Sequence, residues 1–170
     1  MLFADLVGFT SLAEHRDPEE VKRLIDRMFE RLTGEITAFG GVIDKLLGDG
    51  IVALFGAPVA HEDDAERAVR AGLRMQETLA AMCAELDLPV QLRVGVNTGE
   101  VLVGTSISGG DYTAMGDVMN SAARLEGLAE PGQVMVGEAT FQATKEAIGY
   151  DSVGRLEAKG RVEALDAYVA

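Results

Sequence analysis

The spacing of apolar residues changes along the chain and predicts alternating strands and helices. A short apolar run over residues 2–7 is typical of a buried strand. Over residues 21–39, apolar positions recur three or four apart, which is the spacing of one face of a helix. Asp17 and Pro18 are favoured at the N-cap and the first helical position, and the pair Gly40-Gly41 interrupts the pattern. We therefore predict a long amphipathic helix after the first strand.

Two β-prone runs, residues 42–47 and 51–56, flank the tripeptide Gly48-Asp49-Gly50. An Asp-Gly pair between such runs is a strong signal for a hairpin with a type I′ turn, in which both central residues have positive φ. We expect Asp49 at the tip of this hairpin. A carboxylate there can complete the turn through its own hydrogen bonds, or it can bind a metal ion. The turn by itself leaves both interpretations open.

The rest of the chain continues the alternation of helices and strands. An acidic helix start at residues 61–64 opens a second helix, and residues 91–97 and 100–104 predict a second hairpin. The later predicted elements are an extended piece at 112–115, helices at 118–128 and 138–147, and strands at 133–136, 150–156 and 165–169. This order indicates an α+β fold with a ferredoxin-like opening and a largely antiparallel sheet flanked by helices. We expect residues 1–170 to form one domain, excised from a longer protein.

Composition restricts the class of partner. The chain has 170 residues, of which 48% are apolar, and a net charge of −13. So acidic a protein is a poor partner for nucleic acid, and a site for an anionic substrate would need local positive charge. Cys83 is the single cysteine, so no disulfide forms within the chain. Without an apolar run of membrane-spanning length, we expect no direct membrane contact and a cytoplasmic domain, alone or as part of a larger or membrane-attached protein.

A second carboxylate changes the interpretation of Asp49. Asp5 lies near the end of the first predicted strand, and if that strand pairs with the first hairpin, Asp5 and Asp49 converge. Two converging carboxylates repel unless cations bridge them, and oxygen ligands of this kind suit Mg²⁺ or Mn²⁺. The alternative for Asp5 is a capping acceptor for the backbone of Gly8 and Phe9.

Four further polar residues are candidates for contacts with a ligand. Asn120 and Arg124 are four residues apart on a predicted helix, so they share a face and can hold a sugar oxygen and a phosphate together. Lys45 precedes the hairpin turn and offers an ammonium donor, whereas Thr113 offers one hydroxyl. A polar helix face and an ordinary exposed strand lysine are the alternatives.

Four segments together resemble the catalytic domain of class III adenylyl and guanylyl cyclases, in the same order along the chain. They are residues 3–10 (FADLVGFT), 47–56 (LGDGIVALFG), 97–101 (NTGEV) and 112–125 (YTAMGDVMNSAARL). The resemblance covers essentially the whole chain and implies the palm-type fold of these enzymes. It also implies a head-to-tail homodimer with two complete sites, each built from both subunits.

The resemblance implies a role for each candidate residue. Asp5, the Leu6 backbone carbonyl and Asp49 would hold two divalent cations, Mg²⁺ or Mn²⁺. Lys45 and Thr113 would contact the purine, and Lys159 the polyphosphate. Asn120 and Arg124 would orient the ribose and stabilise the transition state. A lysine at position 45 is similar to the adenylyl enzymes, because guanylyl cyclases carry an acid there.

The expected activity is therefore adenylate cyclase, which converts ATP to 3′,5′-cyclic AMP and pyrophosphate. Two alternatives keep the fold: a silent nucleotide-binding regulatory module, and a guanylate cyclase. A diguanylate cyclase is suggested by residues 108–111 (SGGD), but these lie before Tyr112 rather than at an apolar hairpin tip. The acidic surface argues against a polymerase.

Overall fold

The computed structural model of the chain describes residues 1–9, 12, 16–105, 112–115, 117–156 and 165–170, with the backbone alone for 102–105, 112–115 and 156. The described strands are β1 (Leu2–Val7), β2 (Val42–Leu47), β3 (Gly50–Leu54), β4 (Gln91–Val96), β5 (Leu102–Thr105), β6 (Tyr112–Met115), β7 (Val134–Gly137), β8 (Asp151–Leu156) and β9 (Leu165–Val169). The described helices are α1 (Pro18–Ala38), α2 (Asp64–Leu86), α3 (Asp117–Leu128) and α4 (Glu138–Thr144).

Seven strands form the main sheet, in the order β2-β3-β1-β4-β7-β9-β8. Neighbouring strands are antiparallel except for β4 and β7, which are parallel. Strands β5 and β6 pair with each other in a separate two-stranded sheet. The predicted α+β fold with a largely antiparallel sheet is confirmed, including the pairing of β1 with the first hairpin.

The alternation of β1 sends its side chains to opposite faces of the sheet. Leu2, Ala4 and Leu6 are buried in the main core, together with the apolar faces of α1 and α2. Asp5 alternates with these residues, so its side chain is on the opposite face of the sheet. Helix α3 packs against that face. No described helix is long and apolar enough to cross a bilayer.

The helix α1 begins and ends where the sequence predicts. The Asp17 carboxylate accepts hydrogen bonds from the backbone N–H groups of Glu19, at 2.8 Å, and Glu20, at 3.4 Å. Pro18 takes the first helical position, where a missing N–H costs nothing. At the other end Gly40 has a φ of +79°, which a glycine adopts readily.

The predicted second hairpin, residues 91–104, is wrong. Strand β4 is paired on one side with β1 and on the other with β7, so neither edge is free for β5. Strand β5 instead pairs with β6, with Gly104 opposite Thr113. Pairing between strands distant in sequence has overridden the local preference for a hairpin.

The turn of the first hairpin also differs from the prediction. Leu47 pairs with Gly50, so the two central residues are Gly48 and Asp49 rather than Asp49 and Gly50. Among these three turn residues only Gly48 has a positive φ, +63°, which is the pattern of a type II′ turn with glycine first. Asp49 lies at the tip as expected, but with an ordinary backbone conformation.

Gly95 lets α3 approach the sheet closely. A Cβ atom at this position would lie 2.3 Å from the carbonyl oxygen of Ala122 and 2.3 Å from the backbone nitrogen of Glu126. Both are backbone atoms of α3, so a side chain could be accommodated only if the helix moved. The missing side chain therefore fixes the height of α3, and of Asn120 and Arg124 on it, above β4.

We expect Gly95→Ala to lower the free energy of unfolding by about 2 kcal/mol, because the added methyl group overpacks a rigid helix–sheet contact. Urea unfolding followed by circular dichroism measures the change. Gly127→Ala is the matched control: it lies on α3 with nothing within 4 Å of the added Cβ. It should stabilise the helix by roughly 0.5 kcal/mol. Equal stability of the two variants would contradict the close contact at Gly95.

Candidate functional site

Asp5 and Asp49 lie side by side at one end of the β1–β3 pair. Asp5 is opposite Gly50 in the register, and the Leu6 N–H donates a hydrogen bond of 3.2 Å to the Asp49 carbonyl oxygen. At Gly50 an added Cβ would lie 3.6 Å from Oδ1 of Asp5. The predicted convergence of the two aspartates is therefore present, and the Leu6 backbone lies beside it.

Arg93 and Glu126 complete this cluster, and sequence reasoning missed both. The Arg93 side chain on β4 donates from Nη2 to Oδ2 of Asp5 at 3.3 Å. On its other side, Arg93 Nε lies 3.4 Å from Oε1 of Glu126 on α3, and these two buried atoms have no hydrogen-bond partner among the described residues. The available signal was a charged residue inside the otherwise apolar run of a central strand.

The cluster carries more negative than positive charge. Burial raises the pKa of Asp5, and the nearby Asp49 charge raises it further, against the opposing effect of Arg93. Burial likewise raises the pKa of Glu126, aided by the charges of Asp5 and Asp49 and again opposed by Arg93. A single guanidinium therefore does not fully compensate the carboxylates, and an added cation would be stabilised here.

The donor set fits a divalent cation bound partly by substrate. Among the described residues there is no group of three or more His, Cys, Asp or Glu side chains with metal-site geometry. Mg²⁺ is commonly held by one or two carboxylates together with water and phosphate oxygens, so a pair of aspartates suffices when a nucleotide is present. The partly neutralised pair Asp5 and Asp49 matches that pattern.

Strand β6 lies next to the two elements that carry the other candidate purine- and ribose-binding residues. The backbone of β6, which carries Thr113, contacts both β2, which carries Lys45, and α3. On α3, Asn120 is exposed and Arg124 is half-buried one turn further on, so the two share a face. The Thr113 side chain and Lys159 lie outside the part of the chain that the structure describes.

Comparison with known proteins gives the family. The model for the adenylate and guanylate cyclase catalytic domain matches residues 1–169. The chain belongs to this family. Adenylate cyclase 1 of Rhizobium meliloti (strain 1021) is 35% identical over 98% of the chain, and an adenylate cyclase of Mycobacterium bovis is 30% identical over 95%. The chain spans 26% and 37% of the lengths of these two relatives.

Solved cyclase structures share the whole fold. The adenylyl cyclase CyaB from P. aeruginosa superposes with a TM-score of 0.93 at 29% identity, covering 99% of this chain and 90% of that one. The guanylyl cyclase Cya2 gives a TM-score of 0.87 at 35% identity, covering 99% and 88%. The fold is common to adenylyl and guanylyl cyclases, so the preference for ATP or GTP depends on the side chains of the site.

We expect Glu126→Gln to stabilise the metal-free cyclase domain near neutral pH. A raised carboxyl pKa means that ionisation costs more in the folded state than in the unfolded state. Below pH 4.5, the ordinary pKa, the carboxyl group is protonated in both states and the cost is absent. The cost develops as the pH rises from there through the raised pKa of the folded state. The gain of Glu126→Gln over the parent should therefore grow from acid to neutral pH.

Urea unfolding in a chelating buffer over this pH range measures the effect. Glu146→Gln, which removes a carboxylate from an exposed position, is the control and should show no comparable gain. A gain for Glu126→Gln that is equal at acid and neutral pH would contradict the assigned origin.

Proposed function

We propose that this domain is an adenylate cyclase that converts ATP to 3′,5′-cyclic AMP and pyrophosphate at the interface of a homodimer. The observation that carries the proposal is the convergence of Asp5 and Asp49 in a partly buried cluster with excess negative charge. A cluster of this kind at the end of paired strands suits metal-bound phosphates better than a purely structural role. The adenylate cyclase relatives support the same conclusion.

In the proposed site, Asp5, Asp49 and the Leu6 carbonyl hold two divalent cations, Mg²⁺ or Mn²⁺. The cations supply charge neutralisation at the phosphates and a lowered pKa for the ribose 3′-hydroxyl, which attacks the α-phosphorus. Arg93 lies against Asp5 and limits the repulsion between the aspartates. It offsets only part of the negative charge, so the site stays attractive to cations.

The second half of the site binds the nucleoside. Lys45 donates to N1 of adenine, which is an acceptor, whereas guanine carries a proton there. Thr113 adds one hydroxyl to the purine pocket, Asn120 orients the ribose, and Arg124 stabilises charge on the transferring phosphorus. Lys159 binds the polyphosphate. These cationic side chains and the metal ions give local positive charge to a protein whose net charge is −13.

An exposed apolar pair supports the homodimer. Leu46 and Leu47, next to Lys45 at the end of β2, are 51% and 55% exposed. Large apolar side chains at a hairpin tip favour contact with another surface. In a head-to-tail dimer each chain would give its aspartates to one site and Lys45, Asn120 and Arg124 to the other.

Guanylate cyclase is the second candidate function, and the similarity to the guanylyl cyclase Cya2 favours it. Lys45 is the feature that argues for ATP instead, because an ammonium group cannot accept the N1 proton of guanine.

We expect the purified domain with Mn²⁺ and ATP to release cyclic AMP and pyrophosphate, and to convert GTP more slowly. Activity per chain should rise with protein concentration, because only the dimer has complete sites. Chromatographic separation of the products at several protein concentrations tests the chemistry and the dimer together. Asp49→Ala, which lacks one metal ligand, is the inactive control.

Nucleotide binding without a cyclic product, at concentrations where the dimer forms, would favour the silent regulatory module. Faster formation of cyclic GMP would favour guanylate cyclase.

Complementation tests the shared site. Asp49→Ala and Arg124→Ala chains should each be inactive, whereas their heterodimer keeps one site with neither lesion. Random exchange of subunits in an equal mixture should restore roughly a quarter of the parent activity. Native mass spectrometry of the mixture confirms that heterodimers form. Heterodimers without activity would show that Asp49 and Arg124 of the same chain serve one site, which contradicts the shared-site geometry.

A further inference from the structure

Asp44 is a buried carboxylate that the proposed mechanism does not use. Its side chain has no exposed surface, and neither of its oxygens has a hydrogen-bond partner in the part of the chain that the structure describes. Among the described residues its one ion pair is with the next residue, where Lys45 Nζ lies 3.1 Å from Oδ2 of Asp44 without the geometry of a hydrogen bond. Since an unsatisfied buried carboxylate is destabilising, its presence beside a candidate purine-binding lysine calls for a functional explanation.

A β-bulge makes this contact between neighbours possible. In a regular strand the side chains of consecutive residues point to opposite faces, which would keep Asp44 and Lys45 apart. The register between β2 and β3 shifts between Ile43 and Lys45, so Asp44 has no partner on β3. A bulge of this kind re-aims side chains and is frequent beside active sites. Here it brings the carboxylate to the same side as the ammonium group.

The two side chains differ in access. The Lys45 side chain is 33% exposed, whereas that of Asp44 is completely covered. A ligand can therefore reach the ammonium group but not the carboxylate. An ammonium group has three N–H donors, so Lys45 can face the Asp44 carboxylate with one side and still donate to an external acceptor. A buried anion behind an accessible cation is an arrangement that orients the cation toward a ligand.

We propose that Asp44 is a positioning residue for purine selection, which holds the ammonium group of Lys45 where it donates to N1 of adenine. This inference rests on the proposed function, in which Lys45 contacts the base. Asp44 does not touch the substrate and acts through Lys45. A flexible lysine without this anchor would lose part of its preference for an acceptor at N1, because it would have to be ordered on binding.

A double-mutant cycle tests the inference. Asp44→Asn keeps the shape of the side chain and removes its charge. It should lower kcat/KM for ATP by about tenfold, the effect expected when the charged hydrogen bond from Lys45 to N1 of adenine is weakened. The loss should fall mainly on KM, since the base is bound alike in the ground state and the transition state. GTP turnover should change little, so the ATP-to-GTP ratio falls.

The decisive comparison is the same substitution in a Lys45→Gln background. If Asp44 acts through Lys45, Asp44→Asn should change the ATP-to-GTP ratio of Lys45→Gln by less than about twofold. A purely structural role would give the same loss in both backgrounds and would overturn the inference. A selective loss of GTP turnover would also overturn it, since Asp44 would then be an acceptor for guanine itself.

Two controls separate the possible failures. Asp166→Asn removes an exposed strand carboxylate at the far end of the sheet and should leave the ATP-to-GTP ratio unchanged. The thermal midpoint of Asp44→Asn checks its fold, and Asp44→Thr, with a β-branched side chain, replaces it if the asparagine variant does not fold.

If Lys45→Gln itself leaves the purine preference unchanged, the proposed role of Lys45 fails. If only Asp44→Asn leaves it unchanged, the inference about Asp44 fails and the proposed function stands. Should the parent lack turnover, fluorescent ATP and GTP analogues give the same ratios from binding alone, and equal ratios for Asp44→Asn and the parent would overturn the inference.

Discussion

The site depends on the position of β1 between β3 and β4. With β1 paired on both edges, Asp5 lies opposite Gly50 on one side and Arg93 on the other. The pairing with β3 brings the hairpin tip, and therefore Asp49, against the end of β1. Strand pairing thus brings together two carboxylates and an arginine that are far apart in the sequence. Because the sheet is stabilised by the core on its other face, this arrangement does not depend on attraction among the charged groups themselves.

The charged cluster is less stable than the fold that holds it. Burial and mutual repulsion raise the pKa values of Asp5 and Glu126, so their ionised forms are disfavoured in the metal-free domain. A protein interior selected for stability alone would not place two acidic groups against one arginine with a third carboxylate nearby. Such a cluster is understandable when a ligand supplies the missing positive charge. Gly95 also contributes to this cluster. Because it has no side chain, α3 and its polar face lie close to β4, the strand that carries Arg93.

The elements with strong local signals were predictable from the sequence. The cap at Asp17 and Pro18, the apolar periodicity of α1 and the glycine-rich hairpin each depend on residues close together in the chain. The destination of β5 was not predictable in this way, because it depends on both edges of β4 being occupied by β1 and β7. The type of the hairpin turn depended on which two of three residues became central, and a register shift of one residue decides that.

The residues of the site also divide into those predictable from local sequence and those that depend on contacts between distant segments. Asp5 and Asp49 could be paired from the sequence because one strand and one hairpin sufficed to bring them together. Arg93 and Glu126 could not, since their contacts require the order of strands in the sheet and the height of α3 above it. Asp44 shows a further limit: a strand pattern assigns it and Lys45 to opposite faces, and only the bulge reveals that they meet. The hairpin therefore carries one carboxylate at its tip, beside Asp5, and a buried carboxylate within β2. The first is accessible to a cation from outside and the second is accessible only to the neighbouring lysine.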